Sequence, residues 1–497
     1  MTRVIEIYGV REMWNVLIKS ITVGAIMFLT GCTVGPNYVR PSVEMPPAYK
    51  EMEGGASWQI AQPKDDAIRG AWWEIFGDPQ LNALEEQVAI SNQNIAGAEA
   101  QYRQARALVQ ASQAAFFPVV TADASYNRSR TPTFGGTTSG ASAKSQATVS
   151  NYLLSGNASW EPDIWGKVRR SVEASEANAQ ASAADLEAVR LSVQAQVAQD
   201  YFQLRALDAQ RQLFDSTVNA YQTFLELTKN RYASGVASRA DVLQAETQLK
   251  TAKAQAIDIG VQRAQLEHAI ALLVGKPASV FSIQVSPLAA YPPPMPAGVP
   301  SRLLERRPDI AAAERLAAAA NAQIGVAQAA YYPNITLTAS GGFESSELAK
   351  WLTWPNRLWS VGTSVLETVF DAGLRGAQTE QARAAYDASV ASYRQTVLTG
   401  FQEVEDNLAA LRILEEEALM QDEAVKAARQ SVTVSTNQYK AGTVSYLDVV
   451  TVQTIALNNE RTAIEILGRR MTASVLLIKA LGGGWDASGL NTTRGGR

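Results

Sequence analysis

Few side chains in this sequence could do covalent or metal chemistry. It holds one histidine, His268, and one cysteine, Cys32. A zinc site made of histidine and cysteine needs several such ligands, so the count excludes it, and no metal site is expected. A Ser-His-Asp triad would have to use His268, which lies in RAQLEHAIALL, an amphipathic helical stretch where a structural role accounts for it. There is no P-loop pattern and no GxGxxG after a strand. The chain therefore reads as a non-enzyme that needs no cofactor, and the one residue placed for chemistry is Cys32.

Residues 13–32 read MWNVLIKSITVGAIMFLTGC. Lys19 supplies positive charge, Ile21 to Leu29 form a short apolar core, and Leu29-Thr30-Gly31-Cys32 closes it. That is signal-peptide anatomy, too short for a spanning helix. The ending matches the bacterial lipobox, Leu–small–small–Cys. Cleavage before Cys32 would free the thiol for a diacylglyceryl group and the new amine for an N-acyl chain. Two or more acyl chains give stable anchoring. The other reading is a buried cysteine after an apolar stretch; the lipid reading is favoured because the only cysteine stands where a lipobox needs it. Residues 1–31 are thus expected to be a lipoprotein signal peptide; residues 1–12 lie upstream of a normal n-region, so the start is read as Met13 with Met1 as the alternative. Residues 32–70 form a lipidated arm, containing Pro and Gly and expected to be an extended tether.

The rest of the chain is written twice. FFPVVTADASY at 116–126 recurs as YYPNITLTASG at 331–341, and RYASGVASRADVL at 231–243 recurs as QYKAGTVSYLDVV at 438–450. The first copy spans 71–290. It is read as a helix near 80–116, strands 117–128 and 150–162, a long helix 166–232 and a helix 241–273. The second copy spans 291–482. It is read as a helix 309–330, strands 334–343 and 358–367, a long helix 373–440 and a helix 446–480, with 483–497 a flexible tail. Each long helix is free of proline over about 65 residues, which is roughly 100 Å at 1.5 Å per residue. Val189, Val193, Val197, Tyr201 and Leu204 make one narrow apolar stripe, the pattern of coiled-coil-like packing.

The strands alternate. Val120, Ala122, Ala124 and Tyr126 share one face, as do Tyr152, Leu154, Gly156, Ala158 and Trp160 in the next strand. Ile335, Leu337, Ala339 and Phe343, and then Trp359, Val361, Thr363 and Val365, repeat the feature. Such alternation fits a transmembrane β-barrel and equally a soluble half-buried sheet; the lipoprotein signal favours the membrane. Four strands cannot close a useful channel, and open edges in lipid would leave backbone groups unpaired. Several copies must then combine. A formal net charge of −4 suggests no nucleic-acid partner.

The chain resembles the outer-membrane efflux proteins, the TolC-like outer-membrane factors, and more closely their lipidated NodT/OprM-type branch. The resemblance rests on CTVGPNY from Cys32, AWWEIFGDPQLNALEEQ (71–87), WEPDIWGKVRR (160–170), LLERRPDIAAAE (303–314), LETVFDAGLRGA (366–377) and the two Tyr-x-x-Gly turns. It implies a mainly α fold in a homotrimer, each chain giving four strands to a twelve-stranded barrel and its helices to a long periplasmic α-barrel. It implies a passive duct in the Gram-negative outer membrane, driven by an inner-membrane RND-type transporter through a periplasmic adaptor protein. Drugs or other small solutes are the expected cargo. The alternatives are type I secretion, metal-ion efflux, or a lipid-anchored coiled coil without a pore; with 8 methionines and one histidine, no copper- or silver-binding tunnel is evident.

The resemblance also puts both turns, Tyr232 to Gly235 and Tyr439 to Gly442, at the periplasmic tip. By position the gate candidates are Tyr439, Lys440, Leu447, Asp448 and Thr451, with Tyr232 and Asp241 in the first copy. Related lipoproteins often carry an acid where Thr451 stands, whereas this chain has its acid at Asp448. Asp448 and Asp241 can also be read as first-turn carboxylates favoured at a helix N-terminus. The two roles are compatible. The loops near 128–150 and 344–358 are expected to be extracellular.

Overall fold

A computed structural model describes residues 33–44, 46–52, 70–130, 148–288, 292–293 and 306–485. Cys32 with the expected signal peptide, most of the loop at 128–150, and residues 486–497 lie outside them. The chain forms two compact units. One gathers residues up to 40, 104–179 and 315–390; the other gathers 41–103, 180–314 and the chain from 391 on. The elements run α1 (Pro79–Ser91), α2 (Gln93–Ala114), β1 (Val119–Arg130), β2 (Thr148–Trp160), α3 (Lys167–Ala233), α4 (Arg239–Leu273), α5 (Pro308–Ala329), β3 (Asn334–Ser345), β4 (Arg357–Leu366), α6 (Leu374–Ala441) and α7 (Tyr446–Ala480). Among the described residues, no helix is long and apolar enough to cross a membrane.

In the first unit, four strands make one antiparallel sheet in the order β1-β2-β3-β4. The first two strands sit two residues away from their expected spans of 117–128 and 150–162. Pro118 and Pro162, which have no N–H to give a ladder, fall outside the strands. Register fixes the faces. Val120 pairs with Ala158, Ala158 with Ala339, and Ala339 with Val361; the next row is Ala122, Gly156, Gly341 and Trp359. The alternate rows read Thr121, Asn157, Ser340, Ser360 and Asp123, Ser155, Gly342, Leu358. One face is therefore mostly apolar, with Arg128, Arg130, Ser345, Arg357 and Thr363 among its exceptions, and the other mostly polar. The apolar face lies open, with Val120, Tyr126, Trp359, Val361 and Val365 all exposed.

Both repeats turn the same corner from strand to long helix. After β2, the Asp163 carboxylate accepts from the backbone N–H groups of Val168 and Arg169, both at 2.9 Å, and pairs with the Arg169 side chain at 3.0 Å. After β4, Asp371 accepts from the backbone of Gly373 and Arg375 and pairs with the Arg375 side chain at 2.6 Å. Each aspartate satisfies the donors that open a helix and is favoured there by its dipole. The aromatic-aromatic-Pro segment of the second copy touches both corners: Trp165 stacks on Tyr332, and Arg375 lies over the Tyr331 ring.

The arm, expected to be an extended tether, is strapped down where it is described. In the first unit, buried Arg170 donates to the carbonyls of Val34 and Gly35 and to the Asn37 side chain, while Val34 N–H donates to the Trp165 carbonyl at 3.1 Å. In the second unit, Tyr49 is buried in the main core, and the backbone N–H groups of Lys50 and Glu51 donate to the Glu405 carboxylate. Burial holds the Tyr49 hydroxyl up at about 12.

That core belongs to the second unit and packs Trp72, Phe76, Leu81 and Val88 against Val197, Tyr201, Phe202, Leu204, Val397, Val404 and Leu477. The single helix expected over 80–116 is two. Asn92 breaks it: its side-chain carbonyl accepts from Asn94 and Ile95 N–H as an N-cap for α2, and its amide donates to the Leu273 carbonyl at 2.6 Å. Residues 483–485, expected to open the tail, are packed. Gly483 passes so close to Leu191 that a Cβ would strike it, and Trp485 packs on Ala184, Ala311 and Ala312. Arg307, of LLERRPDIAAAE, explains that motif by pairing with Asp309 at 2.6 Å and Glu403 at 2.5 Å, and donating to the Ala480 carbonyl.

Glu85 on α1 is fully buried, and neither carboxylate oxygen has a hydrogen-bond partner among the described residues. Burial alone pushes its pKa well above the ordinary carboxylate range. The folded protein then keeps a proton that the unfolded chain releases, so stability falls as pH rises from the usual glutamate value toward the raised one. Glu85→Gln is expected to flatten this decline, read as denaturation midpoints at pH 5 and pH 8. An unchanged pH dependence would refute the assignment.

Candidate functional site

The tip of the second unit is built by the ends of α3 and α6 and the starts of α4 and α7. Each long helix closes in the same way. Gly235 at φ +74° and Gly442 at φ +81° take the left-handed conformation that a residue with a Cβ adopts only with strain. The hydrogen bonds Val236 N to Arg231 O (2.8 Å) and Thr443 N to Gln438 O (3.0 Å) make both ends Schellman motifs. The short helices then open on capping boxes. In one, the Asp241 carboxylate accepts from Ser238 N at 2.9 Å, and Ser238 Oγ accepts from Asp241 N at 3.2 Å. In the other, the Asp448 carboxylate accepts from Ser445 N at 2.9 Å and from its hydroxyl at 2.7 Å. The Ser445 hydroxyl and backbone hydrogen bonds hold the Asp448 carboxyl below its ordinary pKa, so it stays charged at neutral pH. The first-turn role of both acids is thus present in the structure.

Beneath the turns lies a small core of Tyr221, Leu225, Ala245, Leu249, Ala252, Tyr439, Tyr446 and Val449. Tyr439 is only 3% exposed and packs its ring against Tyr446, so within this chain its ring serves the core rather than an open surface. Burial pushes the Tyr446 hydroxyl pKa upward. Arg231, absent from the residues expected at the gate, ties the two turns together. Its guanidinium lies 4.7 Å over the Tyr439 ring and donates to the carbonyls of Tyr439 (2.9 Å) and Lys440 (3.2 Å). A cation there also suits the negative end of the α6 dipole.

The first turns of α7 have two faces. Tyr446 and Val449 point into the core, whereas Leu447, Asp448 and Thr451 are exposed, Leu447 by 57%. Leu447 and Thr451 stand one turn apart, and the Thr451 hydroxyl donates to the Leu447 carbonyl at 2.9 Å. Lys440 and Tyr232 are exposed, and Asp241 is half-buried. The site offers an apolar side chain beside a fixed negative charge, but no nucleophile–base pair. Among the described residues no group of histidine, cysteine and carboxylates could hold a metal ion. The serines three residues before each aspartate were the legible sign of the capping boxes; Arg231 carried no local sign.

Comparison with known proteins matches residues 84–276 and 299–483 to the family model described as outer membrane efflux protein. The chain is similar to the pyoverdine export outer membrane protein OpmQ of Pseudomonas aeruginosa, 28% identical over 94% of this chain and 96% of that protein. It is likewise similar to the probable efflux pump outer membrane protein TtgC of Pseudomonas putida, 31% identical over 92% of this chain and 93% of that protein. Among solved structures it is similar to the outer-membrane channel OprN, at a TM-score of 0.83 and 30% identity, covering 91% of this chain and all of that one.

Proposed function

The chain belongs to the outer membrane efflux protein family, and from that membership we propose that three copies form a passive exit duct for small solutes. The observation that carries the proposal is the sheet. It has one apolar face, and its outer strands β1 and β4 pair on one side only. An unpaired backbone group in lipid costs several kcal/mol, so a few of them already cancel the roughly 5–15 kcal/mol net stability of a domain. Joining β4 of one copy to β1 of the next closes a twelve-stranded barrel with its apolar rows facing lipid. The relatives named above are an export protein, a probable efflux-pump protein and a channel of the outer membrane. The helices are read as a periplasmic conduit that meets an adaptor protein and, through it, an RND-type transporter. The purified protein should run as a trimer and open discrete conductance steps in planar bilayers. A monomer that opens no pore would overturn the reading and leave the lipid-anchored coiled coil in its place.

The lipid anchor is a separate part of the proposal. Thr33, the residue after Cys32, lies against Gly166 at the corner between β2 and α3, beside the sheet. That position supports diacylglycerol and N-acyl attachment at Cys32 into the same membrane. Cys32→Ser should abolish metabolic palmitate labelling while barrel insertion persists. Labelling that survives in the variant would sink the assignment.

A further inference from the structure

Within the second unit an open cleft of about 760 Å³ lies against α3, bounded by Trp73, Tyr102, Trp485, Arg190, Glu187 and Gln194 among others. Its size falls within the range of small-ligand sites. Gln194 is 7% exposed, and among the described residues its side-chain amide has no hydrogen-bond partner. Side-chain amides in protein interiors are normally paired, so a largely buried amide that opens only onto a cleft is available to a ligand there. The charges at the rim are already matched: Arg190 pairs with Glu187 at 2.7 Å and reaches Glu99 at 3.7 Å. An ionic ligand would have to break these pairs. A purely apolar one would cover the Gln194 amide without satisfying it.

We propose that this cleft binds a neutral saccharide carrying an acetamido group. The Gln194 amide offers one acceptor and two donors, the complement of the acetamido N–H and C=O. The aromatic side chains of Tyr102 and Trp485 supply apolar surface for the C–H face of the ring. The Arg190–Glu187 pair can share further hydroxyls without losing its own contact.

The test is calorimetric titration of the full chain, in a non-glycosidic detergent, with tri-N-acetylchitotriose and with maltotriose. Saturable binding of the acetamido sugar is expected, with maltotriose about tenfold weaker or more, the scale of one lost buried hydrogen bond. Gln194→Leu and, independently, Trp485→Ala should each weaken binding by about the same factor. Absence of saturable binding, equal binding of both sugars, or wild-type binding by both variants would overturn the proposal. Competition by free N-acetylglucosamine and by a soluble N-acetylated glycan polymer then distinguishes a single sugar from a strand as the source. Either result supports the site.

Discussion

Replacing Asp208 by alanine is expected to cost about 3–5 kcal/mol of stability, the range for breaking a buried ion pair from one side. The Asp208 side chain is wholly buried between two guanidinium groups, Arg205 at 3.1 Å and Arg263 at 2.7 Å, and also accepts from Ser286 N–H. Arg205 is itself buried. It donates to the Gln284 and Ser286 carbonyls and to the Gln80 side chain, and it stacks on Tyr201. Removing the carboxylate leaves two cations facing each other, held among the described residues by carbonyls, Glu267, Gln80 and the Tyr201 ring. Repulsion and the cost of buried, uncompensated charge then act together. Asp208→Asn keeps the shape and an acceptor, so it should cost less. Arg263→Met in the Asp208→Ala background should restore part of the loss, because it removes one of the stranded charges. Denaturant midpoints with unchanged slopes would report these differences. A loss in Asp208→Ala below about 1 kcal/mol, the level of an exposed pair, would show that water reaches the site.

The second large effect is expected at the tip and is read in ion flow. If Leu447 and Asp448 of three copies line the narrow end of the duct, Asp448→Ala should raise single-channel conductance or lower cation preference. Leu447→Ala should widen the closed tip. The structure complicates the first variant, since Asp448 also caps its own helix, and losing an N-terminal capping group costs about 1 kcal/mol. Ser445→Ala separates the roles. It breaks the reciprocal cap but keeps the carboxylate, so it should lower stability and leave cation preference near wild type. If Ser445→Ala shifts selectivity as far as Asp448→Ala does, the effect is helix fraying rather than charge. If neither Leu447→Ala nor Asp448→Ala changes conductance or selectivity, the constriction lies elsewhere and Thr451 is the next position to test. Arg231→Ala offers a control from beneath the surface: it releases the tie between the turns without altering any exposed side chain of α7.

Much of the architecture is legible in the order of residues along the chain, because it rests on local rules. Period-two alternation placed Val120, Ala158, Ala339 and Val361 on the apolar side of their strands, and the register puts all four in one row. The long proline-free stretches became α3 and α6 with ends within a residue of expectation. The glycines of the two turns sit where the backbone needs positive φ. Each of these depends on residues within a turn or two of one another.

Tertiary structure alone decided the rest, because burial is set by partners far away in sequence. Tyr439 looks like any aromatic at a turn until Tyr446 and Arg231 enclose it. The arm reads as a linker because its composition is that of one, yet Arg170 and Glu405 hold it in place. Asn92 sits in a helical pattern, and its amide meets the Leu273 carbonyl only when α1 and α4 come together. Asp208 resembles a surface carboxylate among glutamines and alanines; its two arginines and the Ser286 amide arrive from α3, α4 and the segment after α4. Spacing along the chain determines which backbone conformations are cheap. Which side chains lose water is a property of the packed whole.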